Sequence, residues 1–224
     1  MKKKSILLVF VLMLVGCGAM ALADGVLRPG YVPKSAVKLV LFGLLPLLVC
    51  RADPNLDCLS PLKPKKRGLL ISLWLGVGLY GFILGAYFLI GPFFDFSAIA
   101  GSLTQNAGVT RDNFLYVSLY ISFVNSFLEE FFFRGFLFCN LKGLLGRGGA
   151  YLFSALPFSL YHVAMMIGWF SPLLFLLVMA GLLAGGMIFN WLNEKLDTLY
   201  ASWLTHMFAN FAINAVGYIL FGIL

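Results

Sequence analysis

Seven apolar stretches, each close to the length of a bilayer crossing, dominate the chain. A membrane helix needs about 20 predominantly apolar residues, because a rise of ~1.5 Å per residue must cover ~30 Å of hydrocarbon. The stretches run from 5 to 23, 35 to 50, 68 to 91, 113 to 141, 149 to 170, 172 to 192 and 198 to 224. The second is short and contains Pro46. None alternates with period two between hairpin turns, and a backbone in lipid must satisfy its own hydrogen bonds, so helices are favoured over a barrel. The predicted fold class is all-α, a polytopic transmembrane helical bundle of about seven spans forming a single membrane domain, 1–224. Composition agrees, since 61% hydrophobic and 11% charged residues are not those of a soluble globular protein.

A formal charge of +7 would suit nucleic acid, but most of the basic residues sit in short stretches between the apolar runs. They read as topology signals, and no nucleic-acid partner is expected. Lys2, Lys3 and Lys4 precede the first stretch, and Arg51, Lys63, Lys65, Lys66 and Arg67 follow the second, so both groups are assigned to the cytoplasm. Alternation then puts Lys142, Arg147 and Lys195 inside, and the 92 to 112 loop and the C-terminus outside. The 61 to 67 cluster has the chemistry to attract anionic lipid or an acidic substrate tail, but the simpler reading is a topology determinant. The first stretch imitates a secretory signal, with Ala21-Leu22-Ala23 before Asp24, and Leu14-Val15-Gly16-Cys17 resembles a lipoprotein box; with six further spans, an uncleaved helix is expected. Cys17, Cys50, Cys58 and Cys139 have no metal spacing, and no disulfide framework follows from them. Gly81 with Gly85, and Gly181 with Gly185, fit the small-xxx-small pattern of close helix contact inside the bundle.

Seven of the nine acids fall in predicted loops; Glu129 and Glu130 alone are intramembrane. An ionised group at mid-bilayer costs about 2.5 to 3.5 kcal/mol on insertion scales, so something must offset it. Arg134 lies one helical turn after Glu130 and is its expected partner. Glu129 points about 100° away, lacks that partner, and is the candidate reactive carboxylate. On this reading Glu129→Ala leaves membrane insertion intact, whereas Glu130→Ala strands Arg134 and lowers abundance. The face of Glu129 continues through Ser118, Ser122, Asn125 and Ser126, a stripe that equally suits interhelical packing.

Both histidines, His162 and His206, are also intramembrane. Pro157 precedes His162 and is expected to kink its helix, while Asn210 and Asn214 share a face with His206. Counted at ~1.5 Å per residue from the cytoplasmic ends, Glu129 and His162 lie ~20 Å deep and His206 ~13 Å deep, within one layer given the uncertainty of helix ends. A carboxylate beside an imidazole can take a proton from water, and a second His with an Asn can donate to the oxyanion formed on a carbonyl, which implies amide hydrolysis. No nucleophilic elbow, HExxH or Cys–His arrangement is present. Two His and two Glu, namely Glu129, Glu130, His162 and His206, are alternatively a set for a divalent ion such as zinc. The sequence does not separate the two.

Three motifs together resemble the CAAX-protease and bacteriocin-processing family of intramembrane endopeptidases, also called CPBP or Abi. They are EExxxR at Glu129-Glu130-Phe131-Phe132-Phe133-Arg134, FxxxH at Phe158 to His162, and HxxxN at His206 to Asn210. They cover a catalytic core at about 113–214. The resemblance implies a protease of membrane-associated or lipidated proteins in which Glu129 and His162 activate water, His206 and Asn210 form the oxyanion hole, and Glu130 and Arg134 order the site. Relatives are often labelled metalloproteases; the glutamate mechanism needs no metal and is the one expected here. The resemblance also implies a cavity open to the cytoplasm, and the basic start and compact length suit a bacterial inner membrane. Two other functions use the same residues: a proton-coupled transporter, disfavoured because no paired interrupted segments occur in the two halves, and a non-catalytic immunity or scaffold protein.

Overall fold

The computed structural model describes residues 2–224, which are 85% helical with no strand among them. Its helices are α1 (Lys3–Leu27), α2 (Tyr31–Ala52), α3 (Lys66–Ile90), α4 (Ser97–Ala107), α5 (114–145), α6 (147–161), α7 (Pro172–Leu196) and α8 (Leu199–Leu220). Four, those at Lys3–Leu27, Tyr31–Ala52, Lys66–Phe93 and Pro172–Leu196, are long and apolar enough to cross a membrane. The bundle is an integral membrane protein by its surface as well: Phe82 is 71% and Leu89 77% exposed, an outward apolar coat that lipid covers.

α4 occupies the stretch expected to be a loop. Asp95 Oδ1 accepts from the Ser97 backbone N–H at 2.8 Å ahead of its first turn, and Gly108, at φ +67°, closes its last. The helix over 149–170 is also shorter than expected. It runs through Pro157, stops at Tyr161, and after a single turn at Val163–Met166 gives way to a loop. α5 and α6 are divided at Gly146, whose φ of 81° and ψ of 177° only glycine adopts readily.

Several helices contain wide turns with i→i+5 bonds. In α2 this turn is Leu39–Leu44, closed by the Leu45 N–H on the Val40 carbonyl, one residue before Pro46. Proline has no N–H and its ring crowds the carbonyl four residues back, so the wider turn relieves both. α5 has two more, Ile121–Asn125 and Phe131–Phe138, either side of the two glutamates. The second runs through the aromatic core: Phe132 stacks on Phe42 of α2 with ring centroids 4.2 Å apart, and Phe133 meets Phe158 and Tyr161 of α6 at 5.3 and 5.5 Å. These contacts fix α2, α5 and α6 at one depth.

The close helix contacts are not at the expected glycines. A Cβ at Gly81, Gly85, Gly181 or Gly185 would meet no other atom within 4 Å, whereas at Gly76 it would lie 2.7 Å from the Phe208 ring. The spacing alone does not say which face of a helix is inward. Gly76→Val is therefore expected to separate α3 from α8 and destabilise by about 1 to 3 kcal/mol, while Gly81→Val stays near wild type; thermal unfolding in detergent compares them.

One end of the bundle collects the charge. Ser5 donates to Asp53 at 2.6 Å, Asn140 Oδ1 accepts from the Asp57 N–H at 2.8 Å, Lys142 and Arg147 both reach Glu194 at 2.9 Å, and Lys65 pairs with Asp197. Counting Lys3, Lys4, Arg51, Lys63, Lys65, Lys66, Arg67, Lys142, Arg147 and Lys195, this end holds ten of the sixteen basic residues of the chain. The 53–65 loop is tied by its own aspartates. The Ser5 hydroxyl holds Asp53 below the usual carboxylate range and the Ser60 hydroxyl does the same for Asp57, so what they add to stability is present at neutral pH and lost on acidification. A disulfide joins Cys50 and Cys58, contrary to the expectation of none: the turns built on Asp53 and Asp57 fold the loop back and bring the two Cα atoms to 6.1 Å.

Candidate active site

Glu129 and Glu130, both buried, enter from the short α-helical stretch Ser126–Glu130 between the two wide turns of α5. Their surroundings differ. Glu130 Oε1 accepts from Arg134 Nη1 at 3.1 Å and from His206 Nδ1 at 2.9 Å. The expected i,i+4 pair is formed. Arg134 is fully buried, donates from Nη2 to the Gly186 carbonyl at 3.2 Å, and lies over the Phe158 ring at 4.2 Å. A Cβ on Gly186 would stand 3.1 Å from Nη2, so the small residue makes room for the guanidinium.

Glu129 was expected to lack a partner, and it has one. Lys38 of α2, itself buried, donates from Nζ to Glu129 Oε1 at 2.5 Å, to Asn125 Oδ1 at 2.6 Å and to the Tyr161 hydroxyl at 3.1 Å. Asn125 Nδ2 donates to the same Oε1 at 2.8 Å, and the Tyr161 hydroxyl donates to it as well. Oε1 thus takes three hydrogen bonds. Oε2 makes none among the described residues and lies 3.8 Å from His206 Nε2. Because a carboxylate oxygen only accepts, the Nδ1 that touches Glu130 carries the proton, and Nε2 is the nitrogen turned to Glu129.

The other site residues are only partly where the sequence led us to expect them. His162 lies where α6 stops, its Nδ1 donating to the Phe158 carbonyl at 2.7 Å and its ring 4.2 Å from that of Tyr161. The i−4 bond is a physical reason for the FxxxH spacing. The Phe158 ring also stands between the imidazoles, 5.1 Å from His162 and 5.9 Å from His206. Among the described residues Tyr161, not His162, makes the α6 hydrogen bond to Glu129. Asn210 Nδ2 donates to the Ile121 carbonyl at 3.2 Å, which leaves its second N–H for other use. Of the polar stripe, Asn125 joins the site, whereas Ser118 and Ser122 accept from Asn214 and Ser126 accepts from Trp203, so these three join α5 to α8.

A metal-holding role for Glu129, Glu130, His162 and His206 does not fit this arrangement. Two cationic side chains already lie on the carboxylates, and the described residues contain no group of three or more His, Cys, Asp or Glu disposed to hold an ion.

Lys38 and Tyr161 are the residues sequence reasoning missed. A signal was available for the first: within the seven apolar stretches the only acids are Glu129 and Glu130, and the only bases are Lys38 and Arg134. Pairing intramembrane charges by number would have matched Lys38 to Glu129.

Two buried carboxylates, one of them hydrogen-bonded to an imidazole on a facing helix, inside an apolar bundle, define a membrane protein with an ionisable intramembrane site. Residues 111–212 match the family described as Type II CAAX prenyl endopeptidase Rce1-like. That segment, just under half of the chain, carries all three motifs and is similar to the domain of this family of membrane-embedded endopeptidases. No curated protein and no solved structure matches the chain.

Proposed function

We propose that the protein is an intramembrane endopeptidase of the glutamate type, cutting a peptide bond of a membrane-associated or lipidated protein. The observation that carries this is the chain of contacts from Glu130 Oε1 through His206 to Glu129 Oε2, inside the protease-family segment. Glu129 Oε2 takes a proton from water as the water oxygen bonds to the scissile carbonyl carbon. His206 as the imidazolium, with its Nδ1–H held by Glu130 and its Nε2–H turned to the site, and the second N–H of Asn210 stabilise the oxyanion. The C–N bond then breaks, the proton passes from Glu129 to the leaving amine, and a carboxylic acid and an amine result. His162, with Nδ1 committed to the Phe158 carbonyl, offers Nε2 as the second acceptor for water. No metal is part of the reaction.

The prenylated end of a protein is the substrate class that the family description favours, with lipid as the surrounding partner. The test compares protein termini by mass spectrometry in membranes of cells carrying wild type or Glu129→Gln at matched abundance. Specific termini lost in the variant identify both the activity and the substrate; identical profiles would count against hydrolysis.

For orientation we propose that the basic end faces the cytoplasm of a bacterial inner membrane and that the site opens to that side. The positive-inside excess supports it. A reducing cytoplasm would open the Cys50–Cys58 bridge seen in the structure, so N-ethylmaleimide added to cells quenched and denatured in acid, which exposes the buried Cys58, is expected to label both. Protection of both until a reductant is added would put this end outside.

A further inference from the structure

Lys38 lies outside the segment that matches the family, yet it makes three hydrogen bonds at the centre of the site. It is buried between the rings of Phe42 and Tyr161, 5.4 and 5.2 Å from their centroids, with no path for its ammonium to snorkel to an interface. Every polar atom it touches is Glu129 or a group that touches Glu129 Oε1. A carboxylate held by one oxygen through three donors from three helices cannot turn about its last bond without breaking them, so its two oxygens are not equivalent.

We propose that Lys38, with Tyr161 and Asn125, is the clamp that positions the hydrolytic carboxylate, holding Glu129 by Oε1 so that Oε2 alone faces His206. These are positioning residues. The inference rests on the reading of Glu129 as the base, and it adds that the counter-ion of this base comes from the N-terminal hairpin rather than from the motif-bearing helices. Lys38 also fixes the depth of α2 against α5, because withdrawing the helix would strand both charges.

The experiment measures two quantities, abundance in membranes and steady-state cleavage of a fluorogenic peptide with a farnesylated CAAX end in liposomes. Lys38→Met is expected to lower abundance, and Lys38→Met combined with Glu129→Gln to restore it, because the double variant buries no unpaired charge. Tyr161→Phe keeps the ring packing and the charges. It is expected to retain wild-type abundance and KM while kcat falls about 10-fold or more, since loosened positioning of a reacting group costs up to about 10²-fold. A wild-type kcat in Tyr161→Phe, or an abundance of the double variant no better than that of Lys38→Met, overturns the clamp. If the wild type does not cut this peptide, the reading falls for prenylated substrates, and the abundance series still decides the clamp.

Discussion

Arg134→Met is expected to leave little folded protein in the membrane. The guanidinium is fully buried, and its removal leaves Glu130 with only the imidazole of His206 as partner. Breaking a buried ion pair by deleting one member costs about 3–5 kcal/mol, comparable with the whole stability of many domains. Arg134 also lies on Phe158 and donates to the Gly186 carbonyl, so the loss unpins α6 and α7 from α5 at the same time. Methionine fills part of the volume without replacing the charge. Arg134→Met combined with Glu130→Gln removes both charges and is expected to recover abundance but not activity, because His206 loses its ionised acceptor. Thermal unfolding in detergent with immunoblotting of membranes reads the series; a single variant as abundant as wild type would refute the pair.

Glu129→Gln is expected to reduce kcat by about 10²- to 10⁴-fold, the range for removing a positioned general base, and, because Lys38 loses its counter-ion but keeps a neutral acceptor, to lower abundance less than Glu129→Ala does. The amide oxygen still accepts from Lys38, Asn125 and Tyr161 but takes no proton from water. Glu129→Ala is a different matter. From the sequence its removal relieves a buried charge, but in the structure it leaves the Lys38 ammonium with only two neutral partners, so abundance falls as well. Glutamine therefore confounds chemistry with folding less than alanine does, and kcat is compared per amount of folded enzyme. Cleavage by Glu129→Gln at more than a tenth of the wild-type rate would move the base elsewhere, with His162 the next residue to replace.

The contrast between the glutamates explains what was legible. Glu130 and Arg134 are four residues apart on one helix, and 3.6 residues per turn suffices to pair them. Glu129 and Lys38 are 91 residues apart. No helical period connects them, and the wide turn before Pro46 rotates Lys38 by about one residue, ~100°, relative to the rest of α2. The wide turns of α5 likewise escape a wheel drawn at uniform pitch, and the Phe131–Phe133 run carries no polar mark of them. The three motifs were readable because each is local. What joins them, the Tyr161 hydroxyl, the Gly186 carbonyl and the Phe158 ring between two imidazoles, depends on how helices face one another. α4 was marked in the sequence by Asp95 and Gly108, and its eleven residues are too short for a membrane span.

The separation of Lys38 from Glu129 also sets an order of events during synthesis. At ~5–20 residues per second, about 5 to 20 s pass between the emergence of the two side chains from the ribosome. Throughout that interval α2 carries a lysine with no acid to meet it, at an insertion cost of about 2.5–3.5 kcal/mol. The nascent hairpin of α1 and α2 therefore waits at the insertion machinery or at the interface until α5 arrives, and the final depth of α2 is reached only as the site itself is assembled.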